Sequence, residues 1–263
     1  TYKSFTWGKP GANGGAQNTG NLWLDKIAST GDIAIYGGNL NLEGGLTTSE
    51  TSGNGILVKS TGTITTNAGT SGTNMQYSVT GTNSTAPVTF WANADAAGEG
   101  YIYFNNYADI VTQGGPITMG GSAAATDTTP GSYAVAQTTS RAGVMLGNTN
   151  GTSNANVRVL SNGGDITIRG KSTAASAWGI IGYGGYKIDS GVGRILMDGY
   201  ATSTGNGVDL ESTVSNLGTI TSAATSSATP AISITGKCDS TTNTDAGQRA
   251  VYSGGVGLTL SAT

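Results

Sequence analysis

Short apolar-x-apolar steps recur along this chain. They are Ile33/Ile35, Leu40/Leu42, Ile56/Val58, Ile102/Phe104, Val157/Val159, Ile166/Ile168, Ile195/Met197, Val208/Leu210, Ile232/Ile234 and Leu258/Leu260, each flanked by Gly, Asn, Asp, Ser or Thr. Successive side chains of a strand point to opposite faces, so both apolar members of a step share one face. Strands this short bury too little alone. Stacked in coils, they hydrogen-bond to the coils above and below while their inward residues align as ladders. Gly and Asn between the steps suit the tight corners that such coils need. The nearest thing to a helical signal, STAASAWGIIG at Ser172–Gly182, ends in Gly and apolar alternation and reads as a loop entering a strand. The pattern predicts an all-β parallel solenoid with irregular loops, continuous over residues 1–263. An antiparallel sandwich or barrel is the competing arrangement, disfavoured because the steps are short and regular two-residue hairpin turns are missing. With coils of about 20–30 residues rising about 4.8 Å each, some ten coils would form a rod about 50 Å long.

Longer-range self-similarity accompanies the steps. GDIAIYG (Gly31–Gly37) returns as GDITIRG (Gly164–Gly170), GNGILVKST (Gly53–Thr61) as GNGVDLEST (Gly205–Thr213), and GTITTNA (Gly62–Ala68) as GTITSAA (Gly218–Ala224). YSVTG (Tyr77–Gly81) pairs with ISITG (Ile232–Gly236), YIY (Tyr101–Tyr103) with AVY (Ala250–Tyr252), and FTWG (Phe5–Gly8) with VMLG (Val144–Gly147). The matches are collinear, which predicts two diverged copies of one unit, about 1–139 and 140–263.

Composition narrows the chemistry. Only 10% of the residues are charged and 44 are Gly, which favours β structure, and the recurring apolar steps argue against disorder. The net charge of −3 comes from singly scattered residues, so nucleic acid and anionic membrane surfaces are poor partners and no direct membrane insertion is expected. A lone Cys238 excludes an internal disulfide framework, and the absence of His removes the commonest metal ligand and general base. The chain opens on TYKSFTWGKP with neither an initiator Met nor a signal-peptide pattern, so it reads as a mature product or an excerpt, with any export signal lying outside it.

At GDITIRG, GNGVDLEST, GTITSAA and AISITG the sequence resembles the shaft repeats of filamentous-haemagglutinin-like exoproteins and autotransporter-type adhesins of Gram-negative bacteria. The resemblance implies a right-handed parallel β-helix on the cell surface, exported through the outer membrane and acting in attachment or as a spacer. The expected function is therefore a structural or adhesive extracellular rod, a shaft segment or filament subunit of a large bacterial surface protein. Its expected partners are neighbouring copies end to end, and surface glycans or a receptor. The alternative is a carbohydrate-binding or carbohydrate-cleaving β-helix, such as a polysaccharide lyase, a hydrolase or a phage tailspike.

Candidate sites are few. Asn243-Thr244-Asp245 resembles a polygalacturonase tripeptide but lacks the accompanying Asp pair and His, and Asp245 has a repeat counterpart in Asp95. Asp32, Asp165, Asp189 and Asp198 border strands, where Asp usually bonds its own turn. No calcium nonapeptide, His-based zinc site or catalytic triad is present, Cys238 has no identifiable base, and GYGG (Gly182–Gly185) reads as a turn. No catalytic residue, metal or cofactor is expected, and the chain is read as non-enzymatic. Ice binding would need a regular Thr-x-Thr array, for which the spacers are too uneven. The residues singled out for a glycan or partner contact are Tyr101, Tyr103 and Tyr107, with Tyr183 and Tyr186 in a Gly-rich loop. Alternation puts Tyr101 and Tyr103 on the face opposite Ile102 and Phe104, where they stack on sugar or form an aromatic ladder between coils.

Overall fold

The computed structural model describes residues 3–9, 20–51, 53–66, 77–81, 85–105, 108–122, 129–147, 156–212, 217–225, 228–239, 248–255 and 258–262. Among these residues all regular structure is β, in eight successive coils that each contribute one strand to each of three sheets. The first coil holds β1 (Phe5–Trp7), β2 (Leu22–Leu24) and β3 (Ile27–Ser29), and the second β4 (Ile33–Gly37), β5 (Leu40–Leu42) and β6 (Leu46–Thr48). The third holds β7 (Ile56–Ser60), β8 (Ile64–Thr66) and β9 (Tyr77–Gly81), and the fourth β10 (Val88–Ala92), β11 (Ile102–Phe104) and β12 (Ala108–Val111). The fifth carries an extra strand: β13 (Ile117–Gly121), β14 (Ala134–Ala136), β15 (Ala142–Gly147) and β16 (Asn156–Leu160). The sixth has β17 (Ile166–Ser172), β18 (Trp178–Tyr183) and β19 (Gly185–Asp189). The seventh has β20 (Ile195–Ala201), β21 (Val208–Ser212) and β22 (Gly218–Ser222), and the eighth β23 (Ile232–Cys238), β24 (Val251–Gly255) and β25 (Leu258–Ala262). The first sheet runs β1-β4-β7-β10-β13-β17-β20-β23, the second β2 to β24 and the third β3 to β25, and their strands pair in parallel. Eight coils at about 4.8 Å span roughly 35–40 Å, shorter than expected, because insertions lengthen several of them. The repeat is 23 residues from Ile33 to Ile56 but 49 from Ile117 to Ile166.

The steps form the core. Phe5, Ile33, Ile56, Val88, Ile117, Ile166, Ile195 and Ile232 are successive partners in the first sheet. Leu40, Ile64, Ile102, Val144, Ile180 and Val208 do the same in the second. From the second coil to the seventh the steps named above are essentially inaccessible to solvent. Ser172–Gly182 is a strand end, a short loop and a strand entry, as its alternation predicts.

The third sheet adds a rule of its own. In six coils the last inward position, after the apolar residues, is a hydroxyl: Ser29, Thr48, Thr112, Ser161, Ser190 and Ser222, all buried. Each sits where the chain leaves the third sheet for the first sheet of the next coil, a corner whose carbonyls would otherwise be buried without donors. Thr112 Oγ1 donates to Gly115 O at 2.6 Å, Ser190 Oγ to Gly193 O at 2.6 Å, and Ser222 Oγ to the same Gly193 O at 2.7 Å. The corner glycines stack too: a Cβ on Gly193 would lie 2.1 Å from Gly164 O, and one on Gly115 2.0 Å from Ala86 O.

In the fifth coil, β13 and β14 together match the single strand β17, Ile117–Met119 facing Ile166–Ile168 and Ala134–Ala136 facing Gly170–Ser172. The chain thus leaves the first sheet in mid-strand after Gly121 and rejoins it at Ala134; Ser122 and residues 129–133 are the described part of this excursion, closed by two hydrogen bonds between Gly121 and Ser132. The long-range sequence matches fall variously on this frame. GDIAIYG and GDITIRG both enter the first sheet, and YIY and AVY both lie at the second; GNGILVKST forms β7 of the first sheet whereas GNGVDLEST forms β21 of the second.

The corner chemistry is open to test. Ser190→Ala, which leaves Gly193 O one donor fewer, should cost about 1 kcal/mol. Gly193→Ala should cost more, because the new Cβ meets the backbone of the coil below. Denaturant titration of both variants checks the order.

Candidate functional site

The outward side of the second sheet carries a column of aromatic and apolar residues that includes an acid. Tyr103, Met145, Ile181, Asp209 and Tyr252 are successive register partners in coils four to eight, and Tyr183 faces Glu211 one position further along. Half-buried Tyr103, Trp178 and Tyr183 pack on buried Ala142, Met145 and Ile181, a small apolar cluster separate from the core. The Arg141 guanidinium lies 5.7 Å from the ring centre of Tyr101 and 5.8 Å from that of Tyr103. Burial raises the pKa of the Tyr103 phenol, opposed in part by Arg141. Alternation therefore located Tyr101 and Tyr103 opposite the core steps, but the rings are engaged by neighbouring coils and a cation. Tyr107 lies outside the described residues.

Tyr183 and Tyr186 do not share an environment, contrary to their joint reading as a Gly-rich loop. Gly184, with φ of 80°, is a one-residue corner between β18 and β19. Tyr183 ends one strand facing outward, whereas Tyr186 belongs to the next sheet and points into the core at 2% exposure. Its ring fits because Gly182 and Gly218 carry no side chain: a Cβ on either would fall 2.9 Å or less from a ring atom. Burial, followed by the nearby Asp209 charge, raises its phenol pKa. Tyr186 is a core residue and offers no surface contact.

Asp209 and Glu211 were not singled out in the sequence. Both point outward from β21, and Asp209 is only 2% exposed, set between Ile181 and Tyr252. Asn206 Nδ2 donates to its Oδ2 at 2.7 Å, while its Oδ1 is buried without a hydrogen-bond partner. Burial pushes the Asp209 carboxyl up to about 6; the Asn206 amide opposes this, the Glu211 charge adds to it, and Trp178 and Arg249 oppose it. Burial also raises Glu211. Nothing in VDLES distinguishes this Asp from an ordinary outward residue, because the shielding comes from the coils on either side.

No family model, curated protein or solved structure matches this chain. Its chemistry is therefore read from geometry alone.

The remaining carboxylates act in corners and on the surface. Asp32 Oδ1 accepts from Gly55 N at 2.8 Å and Asp165 Oδ1 from Arg194 N at 2.8 Å, so both bond the next coil rather than their own turn. Asp189 and Asp95 do bond their own turns, through Gly191 N and Ala97 N. Asp189 and Asp198 lie in different sheets, and Asp198 accepts from the Tyr133 hydroxyl at 2.8 Å. Asn243 and Asp245 lie outside the described residues. Cys238, a free thiol at the end of β23, sits 3.6 Å from Ser203 O. Among the described residues no group of three metal-ligating side chains forms.

The Asp209 environment has a measurable consequence. A carboxyl raised in the folded state favours folding while protonated, so this contribution is complete below the ordinary Asp range near pH 4 and is lost as pH rises through about 6. The loss is at most about 3 kcal/mol for a shift of this size. Asp209→Asn keeps the shape and removes the charge. Thermal melts from pH 4 to 8 should show the variant gaining on the wild type as pH rises.

Proposed function

We propose that the chain is a stretch of structural and adhesive extracellular rod, a shaft segment or filament subunit of a bacterial surface protein, whose work is done by length, stiffness and repetition. The observation that carries this reading is the continuity of the stack: the inward columns run in parallel register through all eight coils, from Phe5 to Ile232 in the first sheet, around one apolar core. Columns of this kind extend along one axis by repetition of coils. Low charge density and hydrogen-bonded corners also suit a passive shaft.

The engaged state of the tyrosines fits this role. Tyr103 and Tyr183 tie coils four to six together from outside, which stiffens the stack against bending. Asp209, the carboxyl with the largest upward shift, is shielded from any reactant, which favours a non-catalytic reading of this face.

Electron microscopy and light scattering of the purified chain at rising concentration test the reading. Rods several times longer than one solenoid are expected, and Leu260→Lys, which sets a charge in the inward column of the eighth coil, should shorten them. Compact single particles at every concentration would overturn it.

A further inference from the structure

Three adjoining depressions lie on the outward side of the first sheet. One, about 280 Å³, is shared among Thr167, Leu196, Ser233 and the Asp165–Arg194 pair; a second, about 170 Å³, shares Thr167 with it and reaches Thr118; a third, also about 170 Å³, continues from Thr118 to Thr89 and Leu57. Leu57, Thr89, Thr118, Thr167, Leu196 and Ser233 are consecutive register partners, so the depressions form one groove along the solenoid axis. Five coil-to-coil steps at about 4.8 Å make it roughly 24 Å long. One wall comes from the residues just before each strand, including Pro87 and Pro116. The other includes the excursion from the fifth coil, whose Pro130 and Ser132 lie against Gly120, where a Cβ would meet Ser132 O at 2.8 Å. The Tyr133 hydroxyl pins that excursion to Asp198 of the seventh coil.

We infer that this groove binds a neutral, unbranched oligosaccharide laid parallel to the solenoid axis. The floor offers side-chain hydroxyls at Thr118 and Thr167, with Thr89 nearly covered beside them, and among the described residues the Thr118 and Thr167 hydroxyls take no hydrogen bond within the chain. The walls offer Pro carbon faces, and Leu57 and Leu196 continue the floor as carbon surface on either side of the threonines. That combination of hydroxyl donors and C–H surface is what a pyranose presents in return. A peptide adding as a strand is disfavoured, since the groove's inner strands are hydrogen-bonded on both sides and leave no free backbone edge. A polyanion is disfavoured as well: Arg194 is held by Asp165 at 2.8 Å, and Arg169 has Asp198 as its register partner. One saccharide unit per coil matches a ligand repeat to the protein repeat, and this periodicity is independent of end-to-end stacking.

Calorimetric titration with linear β1,4-linked glucose and N-acetylglucosamine oligomers of two to eight units tests the inference. Affinity for at least one series should rise with chain length and level off near five units. Thr118→Val with Thr167→Val, substitutions that suit outward strand positions, should weaken binding roughly tenfold or more with an unchanged melting temperature. Leu196→Lys should block the groove by bulk. Tyr101→Ala, on the other face, and Leu260→Lys, at the stacking end, should leave binding intact, so failure of the groove and failure of the rod are read separately. Absence of binding by both series, binding indifferent to the threonine pair, or binding confined to charged glycans and abolished by salt would overturn the proposal.

Discussion

Stacking in register is the constraint on which everything else in this molecule depends. Each strand hydrogen-bonds to the coil on either side, so a residue's closest neighbours are the residues at the same position one coil up and one coil down. A side chain must therefore be compatible with a column as well as with its own turn. The inward columns meet this with Ile, Val, Leu, Phe and Met, which bury apolar area without polar atoms to satisfy. The corner columns meet it differently. Where coils approach backbone to backbone only Gly fits, and where corner carbonyls are sealed from water a Ser or Thr hydroxyl supplies the donor.

The same columns run along the outside and give the faces their character. On the second sheet the outward column passes from Tyr103 through Met145 and Ile181 to Asp209, so an acid ends up beside an apolar cluster and titrates unlike a surface carboxyl. On the first sheet it passes through three threonines, and the excursion from the fifth coil turns a flat face into a groove. Two residues along the same strands from Leu57 and Thr89, Lys59 is buried on the outward side with its ammonium 3.8 Å from the Trp91 ring centre, while the Trp91 indole donates to Ser122 O. Insertions are tolerated at corners and, in this one coil, in mid-strand, because the strand resumes in register on the far side.

Much of this was legible in local pattern. Apolar-x-apolar steps identify an inward face whatever coil they occupy, since alternation is a property of the strand alone. It held for Ile166/Ile168 and Val208/Leu210, and it placed Tyr101 and Tyr103 opposite the core steps. The hydroxyl corner was harder to see. Val159-x-Ser161 and Ile188-x-Ser190 look like half a step followed by a polar spacer, and only the buried carbonyls beside them reveal the hydroxyl as inward.

By itself, then, the sequence determined the all-β character, the inward residues and the need for Gly-rich corners, because those follow from backbone geometry and side-chain alternation over a few residues. Tertiary structure decided which residues share a column. Repeats that run from 23 to 49 residues in the first sheet cannot be counted from local pattern, and they set the register that places Asp209 between Ile181 and Tyr252 and aligns Thr89, Thr118 and Thr167. The single corner at Gly184 made the same kind of choice, turning Tyr186 into the core while leaving Tyr183, three residues earlier, on the surface.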